Sequence, residues 1–380
     1  MPEFIINDIK LKADIFPEMT EENTMAINSV PRPYSVCWVD NYSSVMDIIN
    51  NESNAVLLID EYIKEKYFGN LKNNIPVFTV RALEKNKNIY QAIDFAEFMS
   101  SMKVHKGTMV YVVGGGIMQD IGAFACAMYK RGIPWTYVPT TLLGMLDSCI
   151  GGKSGLNHKD TKNLIALFSA PHQIVMDYNF LNTLPKRDKV AGLGESLRLH
   201  VTGGPDFFNC FRQGIDKALY GSINALELLT LSSLSVKRAV VEYDEFEINL
   251  RRSMNYGHSI GHAFESLTNF QFPHGMGISI GMIIENLIAV KLFGLARETA
   301  NEINQLCCKL IDNEAITSIK KMNIKGLNDV LQKDKKVIGD KLFLAVPIKL
   351  GEMSFCAIEL NDKLIQLVQE AVEEFLGLFQ

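Results

Sequence analysis

Hydrophobic residues in the first half of the chain cluster in short runs that are typical of buried β-strands. The runs are rich in Val, Ile, Tyr and Thr and bounded by glycine or polar residues. They read YSVCWV, AVLLID, VFTV, TMVYVVGGG, TYVPTT and QIVMD. Stretches with helical spacing, such as NIYQAIDFAEFMSSM, lie between them. This alternation predicts a doubly wound, mainly parallel α/β sheet in a first domain over residues 1–185.

The pattern changes after Leu184-Pro185, where apolar residues recur at helical spacing. Examples are DKVAGLGESLRLHV and GISIGMIIENLIAVKLFGLA. A mainly helical second domain is therefore predicted over residues 186–380, with one late β-like run, KLFLAVPI, packing back as a short strand. We expect the active site in the cleft between the two domains, outside the carboxyl ends of the strands.

Charge and composition exclude several classes of partner. The 380 residues carry a formal net charge of -5, with 47% hydrophobic and 21% charged residues. Because nucleic acids and anionic membranes usually require a basic face, neither is expected as a partner. The chain shows no uncharged apolar run of membrane-spanning length and no Cys-x-x-Cys spacing among its seven cysteines. MPEFIINDIK lacks a basic stretch followed by an apolar one, so a signal peptide is not expected there. We expect a cytoplasmic location.

Two glycine-rich segments are candidates for binding phosphate. In YVVGGGIMQD, three glycines separate a strand from a helix, where the backbone can approach a pyrophosphate and helix N–H groups are available. The spacing is not G-x-G-x-x-G, so a plain tight turn is the alternative. Lys153 follows the glycine pair of GGKSG, and Lys162 with Asn163 forms a second cationic and amide pair. Solvated surface lysines are the alternative for these positions.

Histidines in NYGHSIGHAFE suggest a metal site. His258 and His262 are four residues apart, so a helix would place both on one face. His274 follows in FPHGMG, and an upstream carboxylate could complete an open three-ligand site. Hydrogen-bonded core or cleft histidines are the alternative. Spacing leaves open which of the three histidines bind a metal, and whether the metal is zinc or iron.

The motifs as a set resemble the sugar phosphate cyclases, the superfamily of 3-dehydroquinate synthase. In chain order they are GGGIMQD, YKRGIPWTYVPTTLLGMLDSCIGGKSGLNH, KNLIALF, GES, MNYGHSIGHAFE and PHGMG, within about residues 55 to 350. The resemblance implies a Rossmann-like NAD-binding domain, a helical domain that binds zinc or cobalt, and a phosphorylated sugar substrate.

The resemblance also assigns residues. It implies Glu195, His258 and His274 as metal ligands, with His262 as a substrate-site histidine. The other catalytic positions it implies are Asp147, Lys153, Arg198, Lys237, Arg251 and Asn255. The substrate-binding positions are Arg131, Lys162, Asn163, Lys335 and Lys336. The NAD-binding positions are Asp60, Glu84, Lys87, Gly115, Gly116, Asp120, Thr140 and Thr141. Arg131 matches an arginine that reaches the neighbouring subunit's phosphate site, which implies a homodimer.

The implied reaction is a phosphate-eliminating cyclisation without net redox. A substrate alcohol is oxidised with NAD, phosphate leaves by β-elimination, the ketone is reduced again, and the ring opens and recloses by an aldol step. Lysines and Asn163 are expected to neutralise and orient the phosphate, and His262 to assist proton movement.

Three departures bear on the substrate. Arg198 stands where dehydroquinate synthases have lysine, Met276 where they have glutamate, and Gln119 where they usually have glycine. Lys237 and Arg251 are both present, and they suit the carboxylate of 3-deoxy-D-arabino-heptulosonate 7-phosphate. The main hypothesis is therefore a 3-dehydroquinate synthase-like lyase. The alternatives are a secondary-metabolism cyclase acting on sedoheptulose 7-phosphate (2-epi-5-epi-valiolone synthase-like), a metal-dependent alcohol or glycerol-1-phosphate dehydrogenase, and a silent NAD-binding scaffold.

Overall fold

The computed structural model describes residues 1–20, 23–39, 42–159, 161–332 and 337–379. The predicted substrate residues Lys335 and Lys336 lie outside these ranges. The chain divides into two compact units. One, Pro17–Pro185, is called the α/β unit below; the other, the helical unit, combines Met1–Phe16 with Lys186–Gln380.

The strands are, in chain order, β1 (Glu3–Ile6), β2 (Ile9–Lys12), β3 (Thr24–Ile27), β4 (Tyr34–Trp38), β5 (Ala55–Asp60), β6 (Val77–Val80), β7 (Met109–Gly114), β8 (Trp135–Pro139), β9 (Lys153–His158), β10 (Thr161–Phe168), β11 (Gln173–Met176), β12 (Val337–Ile338), β13 (Lys341–Lys349) and β14 (Glu352–Glu359). The α-helices are α1 (Tyr42–Asn51), α2 (Glu61–Tyr67), α3 (Ile89–Ser101), α4 (Gly116–Met128), α5 (Lys186–Gly203), α6 (Pro205–Leu219), α7 (Ile223–Tyr243), α8 (His258–Leu267), α9 (His274–Leu292), α10 (Arg297–Cys308), α11 (Asn313–Lys321), α12 (Leu327–Leu331) and α13 (Asp362–Gly377). Short 3-10 turns occupy Glu84–Asn86, Tyr129–Arg131, Tyr178–Asn182, Leu250–Asn255 and Ile324–Gly326, and a π-helical turn occupies Gly144–Ser148.

The α/β unit is built on a seven-stranded sheet in the order β3-β4-β11-β8-β7-β5-β6. Six strands are parallel, and β3 pairs antiparallel with β4 at one edge. The six parallel strands are those predicted from their β-branched, apolar runs, and the predicted fold class is confirmed. A two-stranded antiparallel hairpin, β9–β10, was not predicted because its residues are mostly polar or exposed.

The strand order places a topological switch point between β5 and β7. From β5 the chain continues outward to β6, whereas from β7 it continues in the opposite direction to β8 and β11. In open parallel sheets, ligands bind outside the carboxyl ends of the strands at such a point. The three glycines at 114–116 lie at this position, where β7 ends and α4 begins.

Helix α9 forms the centre of the helical unit, where it packs against α5, α8, α10 and α13. It has 19 residues and a mean hydropathy of 1.5, which by length and composition would allow it to cross a membrane. However, 83% of its apolar window is buried inside the unit. Its hydrophobic character is thus accounted for by packing against neighbouring helices.

A five-stranded sheet, in the order β12-β13-β14-β1-β2, accompanies these helices. The run KLFLAVPI is confirmed as part of β13, but β14, β1 and β2 were not predicted. Strand β1 pairs in parallel with β14, with Ile5 opposite Glu352, and Phe4 and Ile6 are fully buried. The first 16 residues therefore belong to the helical unit, whereas we had expected them in a domain spanning 1–185. Pairing between strands about 350 residues apart leaves no local signal in the sequence.

Close helix packing around α9 depends on glycine. A Cβ atom on Gly281 would lie 2.0 Å from the carbonyl oxygen of Gly257 and 2.7 Å from the amide nitrogen of Gly261. We therefore predict that Gly281→Ala lowers the free energy of unfolding by about 3 kcal/mol, because backbone atoms of α8 must move apart. Urea unfolding checks this. Gly377→Ala, where a Cβ meets nothing within 4 Å, is the control and should be neutral or slightly stabilising. Equal midpoints for both variants would contradict the packing described.

Candidate metal centre and nucleotide site

A buried carboxylate on α5 brings two of the predicted metal ligands together. Glu195 is 1% exposed, and its Oε1 lies 3.1 Å from His274 Nε2 and 3.6 Å from His258 Nε2. Carboxylate oxygen and imidazole nitrogen are donors that suit zinc or cobalt, and three such donors leave a further position for substrate. The donor chemistry and spacing therefore fit a divalent metal ion.

Both histidines predicted as metal ligands occupy the first position of a helix. His258 begins α8 after Gly257, whose φ of +79° allows the chain to turn into the helix. The Nδ1 of His258 is 3.2 Å from the Tyr256 carbonyl oxygen, so it donates there and leaves Nε2 as the acceptor. The buried Glu285 accepts from the amide nitrogens of Gly257 (2.6 Å) and Ile260 (3.3 Å). This carboxylate stabilises the start of α8 and thus the position of His258.

His262 lies on the same helix, one turn after His258, and is exposed. Its ring centroid is 5.2 Å from that of His258 and 5.2 Å from that of His274. Nitrogen atoms of the three histidines lie within 4.8 Å of one another, so they too could share an ion. The set of Glu195, His258 and His274 differs from the three histidines in that its carboxylate supplies a negative charge, which attracts a divalent cation. This ligand set, with His262 at the substrate, stays a prediction.

Glu265 was not singled out from the sequence, although it ends the motif GHAFE. It is 5% exposed, and its Oε1 lies 2.8 Å from His274 Nδ1. A carboxylate at the second nitrogen fixes the orientation and tautomer of a ligating imidazole. Burial alone would lower the pKa of His274, but Glu265 and Glu195 together raise it to about 10. The local field thus strongly favours a cation.

Arg198 is buried against the same carboxylate. Its Nε donates to Glu195 Oε2 at 2.7 Å and its Nη1 donates to the Met254 carbonyl at 2.5 Å. Burial acts to raise the pKa of Glu195, but Arg198 and the two histidines hold it well below the usual range. The residue predicted as catalytic therefore contacts a predicted metal ligand.

The other predicted substrate residues of the helical unit lie on α7 and the Leu250–Asn255 turn. Lys237 and Arg251 are 9% and 3% exposed. The Arg251 side chain donates to the Glu245 carbonyl, and its amide donates to Asp244 Oδ2 at 2.9 Å. The side-chain Nδ2 of Asn255 donates to the Arg252 carbonyl at 2.9 Å. Met276, which departs from the resemblance, is 2% exposed and belongs to the core.

In the α/β unit, the predicted NAD residues lie at the carboxyl ends of three adjacent strands. Asp60 ends β5, Gly115 and Gly116 follow β7, and Thr140 and Thr141 follow β8. A Cβ on Gly115 would lie 2.8 Å from Thr141 Cγ2, so only glycine fits this turn. Helix α4 begins at Gly116, and its free N–H groups are suited to a pyrophosphate.

A polar network joins the remaining NAD positions to the β9–β10 hairpin. Lys87 Nζ is 2.7 Å from Asp120 Oδ2, and Asp120 Oδ1 accepts from the Gly155 amide at 3.1 Å. Asn157, which sequence reasoning missed, donates to Glu84 Oε1 at 2.8 Å and accepts from the Asn163 amide at 3.0 Å. Asn157 thereby connects Glu84, a predicted NAD-binding residue, to Asn163, a predicted phosphate-binding residue.

Predicted phosphate-binding side chains are exposed on this hairpin. Lys153 begins β9, and Lys162 and Asn163 lie on β10 beside a register shift, with Asn163 at φ +51°. The exposed ammonium and amide groups of these three side chains are of the kinds that bind phosphate. Arg131 is likewise exposed, in a turn where its φ is +65°.

The departure at Gln119 has a structural explanation. Gln119 is 3% exposed; its Nε2 donates to the Ser148 carbonyl at 2.9 Å, and its Oε1 accepts from Ser148 Oγ at 2.9 Å. Ser148 ends the π-helical turn that carries Asp147. Gln119 thus holds the turn of a predicted catalytic residue.

Comparison with known proteins decides the family. The family descriptions "3-dehydroquinate synthase N-terminal" and "3-dehydroquinate synthase C-terminal" match residues 77–191 and 192–337. The 3-dehydroquinate synthase of Ruminiclostridium cellulolyticum is 30% identical over 88% of this chain and 96% of its own length. That of Campylobacter concisus is 34% identical over 77% of this chain and 81% of its own. The chain belongs to the 3-dehydroquinate synthase family, within the sugar phosphate cyclases.

Solved structures share the fold. A 2-deoxy-scyllo-inosose synthase complexed with carbaglucose-6-phosphate, NAD⁺ and Co²⁺ is 23% identical, with a TM-score of 0.76, over 92% of this chain and 99% of that one. The 2-epi-5-epi-valiolone synthase of Streptomyces hygroscopicus, with NAD⁺ and Zn²⁺ bound, is 20% identical, with a TM-score of 0.77, over 90% and 97%. The sulfoacetaldehyde reductase of Bifidobacterium kashiwanohense is more distant, at 12% identity and a TM-score of 0.64 over 93% and 99%.

The contact between Glu265 and His274 generates a test. We predict that Glu265→Gln weakens zinc binding by about 10- to 100-fold, because the imidazole loses the charged partner that orients it. Competition with a chromogenic chelator measures the dissociation constant. Glu374→Gln, which removes a surface partner of Arg297, is the control and should leave zinc binding unchanged. Unchanged binding in Glu265→Gln would contradict a role in the metal centre.

Proposed function

We propose that this protein is an NAD- and metal-dependent sugar phosphate cyclase that converts a heptulosonate 7-phosphate to a carbocycle with loss of phosphate, as a 3-dehydroquinate synthase does. One observation carries the proposal beyond family membership. Nε2 of His274 and Nε2 of His258 lie 3.1 and 3.6 Å from the same carboxylate oxygen, Oε1 of the buried Glu195. A silent NAD-binding scaffold would have no need for this arrangement.

The metal would be held by Glu195, His258 and His274, as zinc or cobalt. When bound, such an ion polarises a substrate oxygen as a Lewis acid. The Co²⁺ and Zn²⁺ in the related cyclase structures support this choice of metal. Glu265 orients the His274 ring and the Tyr256 carbonyl orients the His258 ring, while Glu285 holds the backbone at the start of α8.

NAD would bind at the carboxyl ends of β5, β7 and β8, where Asp60, Gly115, Gly116, Thr140 and Thr141 lie. Bound there, NAD would supply reversible hydride transfer without net redox. The Lys87–Asp120 ion pair fixes the hairpin beside this site. The NAD⁺ in both related cyclase structures supports the assignment.

Side chains of this protein would handle the charge and the protons of the substrate. Lys153, Lys162 and Asn163 neutralise and orient the phosphate as it leaves. Asp147 and Asn255 complete the set that positions the sugar. His262, exposed and beside the two proposed ligand histidines, would move a proton at its imidazole nitrogen.

Two buried cations favour an acidic substrate. Lys237 and Arg251 would hold the carboxylate of 3-deoxy-D-arabino-heptulosonate 7-phosphate, because burial strengthens a charge-assisted hydrogen bond. Sedoheptulose 7-phosphate lacks that carboxylate. The specialised cyclase acting on it remains the second candidate because Arg198 differs from the usual lysine.

The assembly and location are part of the proposal. Arg131 would reach the phosphate site of a second subunit, which makes the enzyme a homodimer. Its exposure and its left-handed backbone, which presents the side chain on a turn, support that role. One or both of Lys335 and Lys336 would contribute to substrate binding, and the enzyme would act in the cytoplasm.

A side-by-side assay tests the function. Purified protein with NAD and zinc or cobalt is offered the heptulosonate phosphate and sedoheptulose 7-phosphate, and phosphate release is measured with mass-spectrometric identification of the product. We expect dehydroquinate from the first substrate, with no steady accumulation of NADH. Turnover of sedoheptulose 7-phosphate alone would overturn the carboxylate argument. Accumulating NADH would indicate a dehydrogenase instead.

The role of Lys237 makes a separate prediction. Lys237→Met should lower kcat/KM for the heptulosonate phosphate by about 10- to 100-fold, because a charge-assisted hydrogen bond contributes about 1.5–3 kcal/mol. Steady-state kinetics measure this effect. Lys291→Met, which removes a surface ion pair with Glu370, serves as the control and should keep wild-type kinetics. Equal kinetics in both variants would exclude Lys237 from the substrate site.

A further inference from the structure

Arg198 is deeply buried and makes a defined contact with the metal-ligating carboxylate. It is 3% exposed and lies three residues after Glu195 on α5, so both side chains are on one face of the helix. Its Nε donates to Glu195 Oε2 at 2.7 Å. The other carboxylate oxygen, Oε1, is the one that lies 3.1 Å from His274 Nε2 and 3.6 Å from His258 Nε2.

A second contact ties the same guanidinium to the segment that leads into α8. Arg198 Nη1 donates to the carbonyl oxygen of Met254 at 2.5 Å. Met254 lies in the Leu250–Asn255 turn, four residues before His258. The guanidinium therefore bridges the helix that carries Glu195 and the turn that precedes His258.

This bridge depends on the shape of the guanidinium. Arginine presents N–H donors in a rigid plane, so Nε and Nη1 can serve two acceptors in different directions at once. Lysine, which stands here in the dehydroquinate synthases that the sequence resembles, carries a single ammonium on a flexible stem. A lysine at residue 198 would keep the charge but not the fixed link between the two segments.

We propose that Arg198 is a positioning residue of the metal centre, which holds Oε2 of Glu195 and the Met254 carbonyl and thereby presents Oε1 to the metal beside the two histidines. The inference rests on the proposed metal site. It differs from the catalytic role that the resemblance implies, because Arg198 acts on a ligand and not on the substrate.

Arg198→Lys tests the inference because it preserves the charge and removes the bridge. Zinc dissociation constants are measured without substrate, by competition with a chromogenic chelator, for wild type and variant. We expect binding to weaken about tenfold or more, as it does when other outer-shell partners of metal ligands are replaced. Arg297→Lys, the same exchange in a surface ion pair with Glu374, is the control and should bind zinc as the wild type does.

Arg198→Met and cobalt provide a second readout that does not depend on affinity. In Arg198→Met the loss of the positive charge also removes its repulsion of a divalent ion, and this effect on the dissociation constant opposes the loss of the bridge. The visible absorption of the cobalt-loaded protein is therefore recorded instead of the affinity. We expect the bands to shift in Arg198→Met and in Arg198→Lys, because Oε2 of Glu195 is released and the donor set around cobalt changes. The bands of Arg297→Lys should match those of the wild type.

The outcomes separate this inference from the proposed function. If zinc affinity and cobalt spectra of both Arg198 variants match the wild type while KM for the sugar phosphate rises, Arg198 serves the substrate and the inference is overturned. In that case the proposed function stands. If the wild-type protein itself binds neither zinc nor cobalt, the proposed metal site fails, and the inference fails with it.

Discussion

The helical unit is organised around one charged group in its interior, the carboxylate of Glu195. An ionised carboxylate away from water is costly unless other charges and hydrogen bonds compensate it. Arg198, itself held by the Met254 carbonyl, donates to one side of the carboxylate, and His258 and His274 lie on the other side. Helices α5, α8 and α9 must therefore approach one another closely, and glycines such as Gly281 allow their backbones to do so.

The two histidines predicted as metal ligands, His258 and His274, each begin a helix. A residue at the first position of a helix is held by the capping interactions of that helix and not by a long loop. Glu285 caps α8, and Glu265, on α8 itself, holds the histidine that begins α9. The α/β unit uses a different device, since the predicted nucleotide residues follow the ends of three adjacent parallel strands. In both units, regular elements fix the positions of the functional groups.

Much of the architecture could be predicted from local patterns. The six parallel strands have apolar, β-branched runs that local periodicity identifies, and β13 shows the same signal. Strands β1, β2 and β14 were not found in this way, because β1 and β2 have only four residues each and the partner of β1 lies at the other end of the chain. The hairpin β9–β10 was missed because β9 is mostly polar and the apolar run LIALF of β10 is exposed or half-buried.

The candidate site was predictable to a similar extent. Histidine spacing indicated a metal, and the family resemblance chose Glu195 over His262 as the third ligand. Residues that act through another residue left no signal of their own: Glu265 could be recognised only once its contact with His274 was known, and Asn157 only through Glu84 and Asn163. Arg198 was noted as a departure, but its contact with Glu195 emerged only from the fold.

The measurement that tests the central claim most directly is anomalous diffraction at the zinc absorption edge from crystals of the zinc-loaded protein. We predict one strong peak per chain within coordination distance of Glu195 Oε1, His258 Nε2 and His274 Nε2. A peak coordinated by His258 and His262, with no oxygen of Glu195 within coordination distance, would contradict the account.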